Sequence, residues 1–81
     1  MTRLYAEHPT ISVRRDRHGE PEAVYWRDIW YEGASVNHWR IETDWWEETK
    51  VVRSFWLFES RDLICEVYRE GQEWHLHRVY D

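Results

Sequence analysis

One cysteine, Cys65, stands in 81 residues. It excludes an intramolecular disulfide scaffold and a cysteine-rich zinc site. Glycine and proline are sparse, at three and two, and no internal repeat, low-complexity tract or linker divides the chain. No apolar run approaches the roughly 18 residues that a spanning helix needs, which predicts no membrane segment. The opening Met1-Thr2-Arg3-Leu4-Tyr5-Ala6-Glu7 lacks an apolar stretch and predicts no cleaved secretory signal. With the lone cysteine this predicts a reducing, cytoplasmic address. A phosphate-cradling glycine loop, a dinucleotide fingerprint, a serine nucleophile elbow and a His-Glu-x-x-His helix are all missing. An enzyme is therefore not expected, and no cofactor is implied.

A basic surplus is missing too. Eleven basic residues face sixteen acidic ones, for a net charge of −5, against the balance expected of a duplex-DNA binder. The densest basic knot is Arg14, Arg15, Arg17 and His18. It reads as a solvated hairpin loop or a phosphate site.

Aromatic residues are what the chain has in excess: seven Trp, five Tyr and two Phe. Each buries about 150–250 Å², and a chain this short hides only ~60% of its unfolded surface. More rings are present than the interior should hold, so a surplus is expected at the surface for contact with another molecule.

The whole of 1–81 reads as one β domain, with 1–9 as an N-terminal segment whose order the pattern leaves open. Strands are expected over 10–15, 22–27, 29–32, 36–42, 50–59, 63–69 and 74–80, rich in β-branched and aromatic residues and separated by short turns. Arg27-Asp28 reads as a tight turn or a bulge, and Gly33-Ala34-Ser35 as a bend. No window keeps helical apolar spacing. Asp44 with Glu47 three residues on suggests one turn of helix carrying Trp45 and Trp46. The expected fold class is mainly β: a small antiparallel barrel or strongly curled sheet of five to six strands, with at most one short helical turn.

The segment 50–59 is apolar on both faces, with Phe55 and Leu57 one way and Trp56 and Phe58 the other. One sheet layer buries one face in its own core. The second face must meet the chain's own N-terminal segment (Leu4 and Tyr5 included), a second copy, or another partner.

Candidate chemistry is thin. Cys65 with His75 or His77 has the makings of a nucleophile and base, but its place among Leu63, Ile64 and Val67 reads as a small buried hydrophobe. His75 and His77, two apart on a strand, share a face and have the spacing to chelate a metal, with His38 as a third ligand, or they are simply cross-strand neighbours. Glu47-Glu48 reads as a solvated turn edge. The binding candidates are Trp45 and Trp46 flanked by Arg40 and Arg53. Trp56, Tyr68 and Arg69 join them if single-stranded nucleic acid stacks on the rings.

The order Trp39-Arg40, Trp45-Trp46, Arg53, Val67-Tyr68-Arg69 and Trp74-His75-Leu76-His77-Arg78-Val79-Tyr80-Asp81 resembles a small bacterial and archaeal domain family of unknown function. Its members stand alone or accompany ImuB-type relatives of the Y-family DNA polymerases. The resemblance covers about residues 23–81. The paired tryptophans and the terminal Trp-x-Leu-x-Arg-Val-Tyr-Asp are its most specific part. Here Glu70 stands where the family has Asp, and the following loop is short. The resemblance implies a DNA-repair setting and neither activity nor cofactor. Two partner classes stand open: a protein, a second copy included, and single-stranded nucleic acid.

Overall fold

In the computed structural model, which describes residues 2–4, 8–43 and 51–80, every regular element is a strand. They are β1 (Thr2–Leu4), β2 (Thr10–Arg15), β3 (Pro21–Trp26), β4 (Ile29–Thr43), β5 (Val51–Ser60), β6 (Ile64–Glu70) and β7 (Glu73–Tyr80). Local turn chemistry sets their order. Asp16 Oδ1 accepts from the amides of His18 at 2.8 Å and Glu20 at 3.0 Å, closing the β2–β3 turn. Ser60 and Leu63 exchange hydrogen bonds around the β5–β6 turn. Gly71, at φ 63°, opens the two-residue β6–β7 turn, where a side chain would be strained.

Arg27-Asp28 resolves as a tight turn. Trp26 faces Ile29 across it, and φ is 52° at Arg27 and 66° at Asp28. Both central residues are left-handed, which is the type I′ geometry that matches the twist of a hairpin.

From β2 to β7 each strand pairs antiparallel with the next. β7 then returns to β2 through Thr10–His75 and Ile11–Trp74, closing a barrel of six strands. β1 continues along the same edge of β7, Thr2 facing Tyr80 and Leu4 facing Arg78. The mainly-β barrel expected from the sequence is therefore the fold, with β1 as an added strand. No helix long and apolar enough to cross a membrane occurs among the described residues.

Alternation sends Trp56 and Phe58 inward with Val24, Leu63, Cys65, Val67, Trp74, Leu76 and Val79. Ile11, Val13, Trp26 and Tyr31 pack against this core. The core is thus aliphatic as much as aromatic. Among the described tryptophans, Trp56 and Trp74 are buried, Trp26 and Trp39 are half-buried, and Trp30 alone is exposed, at 48%. Among the described residues, fewer rings lie at the surface than composition suggests; Tyr5, Trp45 and Trp46 lie outside them. Exposed apolar area lies instead on Ile29, Val36, Ile41 and Ile64 as well.

β4 departs from the expected pair of short strands. It runs unbroken through Gly33-Ala34-Ser35, with a bulge between Ser35 and Asn37. Its first four residues pair with β3; from Gly33 onward it pairs with β5. The change of partner brings the backbones together. A Cβ on Gly33 would overlap the Glu59 carbonyl oxygen and lie 2.8 Å from Ser60 Cα.

Candidate interaction surface

The length mismatch between β3 and β4 creates the main surface feature. β3 has six residues and β4 fifteen. After Glu32 the β3 side of β4 has no strand neighbour among the described residues, while its other side pairs with β5 to Thr43. β6 covers β5 only from Ser54. The pairs Ile41–Arg53, Glu42–Val52 and Thr43–Val51 therefore form a two-stranded arm beyond the barrel. Such a ribbon is marginal by itself.

Ring stacking ties the base of the arm to the barrel. Trp39 stacks on Phe55 at 5.5 Å and 7° on one face. His38 stacks on Trp56 at 4.6 Å and 10° on the other. Trp56 also donates from Nε1 to Glu20 Oε2 at 2.9 Å, the oxygen that Ser35 Oγ reaches at 2.7 Å. This positions the edge. Along it Val36 is 55% exposed and Ile41 47%, and Arg40 pairs with Glu42 two residues on at 3.0 Å. Long edges usually carry defences against pairing, such as lysine, proline or inward charges. This one has a single bulge and a mutually neutralised charge pair.

On the outer face of β5–β7 lies a second cluster. Tyr68 is buried between Phe55, His75 and His8. His8 Nδ1 lies 2.8 Å from Tyr68 Oη, and its ring stands edge-on to His77 at 4.9 Å. His75 Nδ1 donates to the His8 carbonyl at 3.0 Å. Leu76 N donates to Pro9 O at 2.9 Å. The second face of β5 is thus met in part by the chain's own N-terminal segment, through His8. Leu4 is seen only as a backbone partner of Arg78, and Tyr5 lies outside the described residues.

Burial pushes the Glu66 carboxyl up, but Tyr80 Oη donates at 2.6 Å and His77 Nδ1 at 2.8 Å. With Arg78 nearby they hold it below its ordinary value. Burial, then the charges of His77, Arg53 and His75, lower the His8 value. Nothing in the sequence pattern singled out His8; it enters because β1 and β2 share one edge of β7. His38 does not join His75 and His77, since it lies on the Trp56 face. No group of three His, Cys, Asp or Glu residues is arranged to hold a metal among the described residues.

The remaining described candidates scatter. Trp45 and Trp46, with the expected helical turn at Asp44–Glu47, lie outside the described residues. Trp56 points into the barrel and Tyr68 out of it, so the two cannot form one stacking platform. Arg53 lies over the Tyr68 ring at 5.0 Å and donates to Glu70 at 2.7 Å. Arg69 is opposite Trp74 in register, hence on the face away from Tyr68, and donates to Gly71 O. Of the described candidates, Arg40 alone lies on β4, beyond its pairing with β3. In the basic knot, Arg14 is bound by Glu22 at 2.8 Å and Glu32 at 2.7 Å. Cys65 is sealed in the core and desolvation lifts its thiol to about 12, with the Glu66 charge adding to the effect.

An exposed Tyr25–Trp30 pair, rings 5.3 Å apart, borders a shallow groove of about 380 Å³ lined by Ile29, Tyr31, Glu32, Ser60, Arg61 and Asp62. No protein-family model matches the chain, and neither a curated protein nor a solved structure does.

Proposed function

We propose that this chain is a non-enzymatic protein-interaction module that takes an extended segment of a partner onto the free edge of β4. The observation that carries the reading is the β3-side edge of β4 from Gly33 to Thr43, which has no strand neighbour among the described residues, is fixed by two ring stacks and carries exposed Val36 and Ile41. Strand addition draws affinity from main-chain hydrogen bonds and specificity from alternate side chains. A buried, high-pKa Cys65 supports a non-catalytic role. Single-stranded nucleic acid is the weaker reading. Trp56 and Tyr68 face opposite ways, and Arg14 and Arg53 are already neutralised by carboxylates. A cytoplasmic, repair-associated setting rests on the single cysteine and the family resemblance.

The test is selection from a library of displayed unstructured decapeptides, with binding mapped by backbone amide shifts. Selected peptides should perturb amides of Val36–Glu42 and be lost on Ile41→Pro, whose fold is checked by circular dichroism. Peptides that map elsewhere, or a titration in which oligo-dT quenches tryptophan and no peptide is selected, would overturn the reading.

A further inference from the structure

Resting on the β4-edge reading, we infer that the occupant of that edge is a second copy of this chain, paired antiparallel about a two-fold axis through Ile41. Symmetry limits the registers. A two-fold relating two antiparallel edges runs normal to the sheet and keeps each face on its own side. Facing residues therefore have the same parity, and one residue faces itself.

With Arg40 at the axis, two guanidiniums meet. With Trp39 there, His38 faces Arg40 and Val36 faces Glu42, setting cation against imidazole and carboxylate against an aliphatic. Centres nearer the N-terminus run into the bulge at Val36. With Ile41 at the axis, Arg40 faces the copy's Glu42 and Glu42 faces the copy's Arg40, while exposed Ile41 meets itself. Opposite charges directly across a ladder stabilise it and like charges destabilise it. The intrastrand Arg40–Glu42 contact is exposed at both ends, 60% and 41%. An ion pair this exposed is weak, so Arg40 gives it up at little cost.

The same register spans Trp39 to Thr43, so it covers the three pairs that protrude beyond β6. The marginal two-stranded arm becomes the half of a four-stranded sheet, β5–β4–β4–β5, in which Trp39 and Ile41 of both copies share one face. The uncovered length of the ribbon and the charge order along it thus point to one partner.

Sedimentation equilibrium of the full chain, with four versions, tests this. Wild type should dimerise reversibly. Arg40→Glu and Glu42→Arg should each weaken the dimer about tenfold or more, since both symmetric pairs turn repulsive at once. The double exchange should restore it. Independently of those folds, Ile41→Cys should form a symmetric disulfide on mild oxidation, because facing residues in an antiparallel pair lie within disulfide reach. Val36→Cys should not, and native Cys65, fully buried, should stay silent. A wild type that stays monomeric at every concentration, single exchanges that dimerise like wild type, or cross-linking of Val36→Cys in place of Ile41→Cys would each overturn the inference. If the chain is monomeric while selected peptides still map to Val36–Glu42, the copy is the wrong occupant and the edge reading stands. If neither binds there, both fall.

Discussion

Gly33→Ala is the sharpest probe of how this barrel produces its free edge. A glycine in a strand usually costs stability, and where space allows, replacing it with alanine gains about 0.4–1 kcal/mol by restricting the unfolded chain. At Gly33 the added methyl has no such space. It would overlap the carbonyl oxygen of Glu59 and come within 2.8 Å of both the Glu59 carbonyl carbon and Ser60 Cα. These are backbone atoms of β5, held in register by Gly33–Ser60 and Ala34–Glu59 pairing, so no rotamer change relieves the contact. Overpacking of this kind costs about 1–3 kcal/mol. Against a total stability of roughly 5–10 kcal/mol for so small a domain, and at about 4–8 °C per kcal/mol, the melting temperature should fall by ~5–20 °C. Urea unfolding followed by the fluorescence of buried Trp56 and Trp74 measures it. Gly71→Ala is the control: nothing lies within 4 Å of its Cβ, but φ is 63°, so it should lose about 1 kcal/mol through backbone strain alone. The sign decides. If Gly33→Ala is neutral or stabilising, the backbones do not approach as described, and the account of β4 changing partners there is wrong.

Two further outcomes follow from the outer cluster and the core. His8 is a base held below its ordinary value of 6.5. As pH falls through 6.5 the unfolded chain binds the proton first, and stability declines until folded His8 titrates. His8→Asn, which tolerates the φ of 46°, should flatten that part of the urea-midpoint profile; an unchanged profile refutes the role. The lowered value of Glu66 acts in a separate, more acidic window: its contribution is full above 4.5 and is lost as pH falls through the folded value. Cys65 should react with an aromatic disulfide reagent only as fast as the chain opens. Cys65→Ser should cost about 1–3 kcal/mol by burying a hydroxyl among apolar neighbours. Rapid labelling of native protein at neutral pH contradicts the sealed core.

Much of the fold was legible because a half-buried strand writes its faces in a period of two. Val24 with Trp26, Leu63 with Cys65 and Val67, and Trp74 with Leu76 all sort to the core as their alternation predicts. Closure was legible only as a class. The contact that makes it, β2 with β7, joins residues more than sixty apart, and nothing local in Thr10 or His75 announces the other. Among the described residues, part of the ring excess is absorbed in a way that is equally non-local. Ring contacts across strands, Trp39 stacked on Phe55 and Trp56 tilted against Trp74, remove ring area that composition treats as needing a separate interior.

The candidate surface was hidden by one residue. Read locally, Gly33 looks like punctuation, and the segment around it splits into two short strands that short neighbours would cover. In three dimensions the missing side chain does the opposite. It lets β4 pass close against Glu59 and Ser60 and continue as one strand from one partner to the next. A six-residue β3 then cannot follow a fifteen-residue β4, whatever the rest of the barrel does. The edge that lacks a strand neighbour among the described residues is thus a consequence of unequal strand lengths joined at a glycine that cannot carry a methyl group. Stacked rings at Trp39 and His38 hold that edge in place, and the charges on either side of Ile41 restrict what can pair with it.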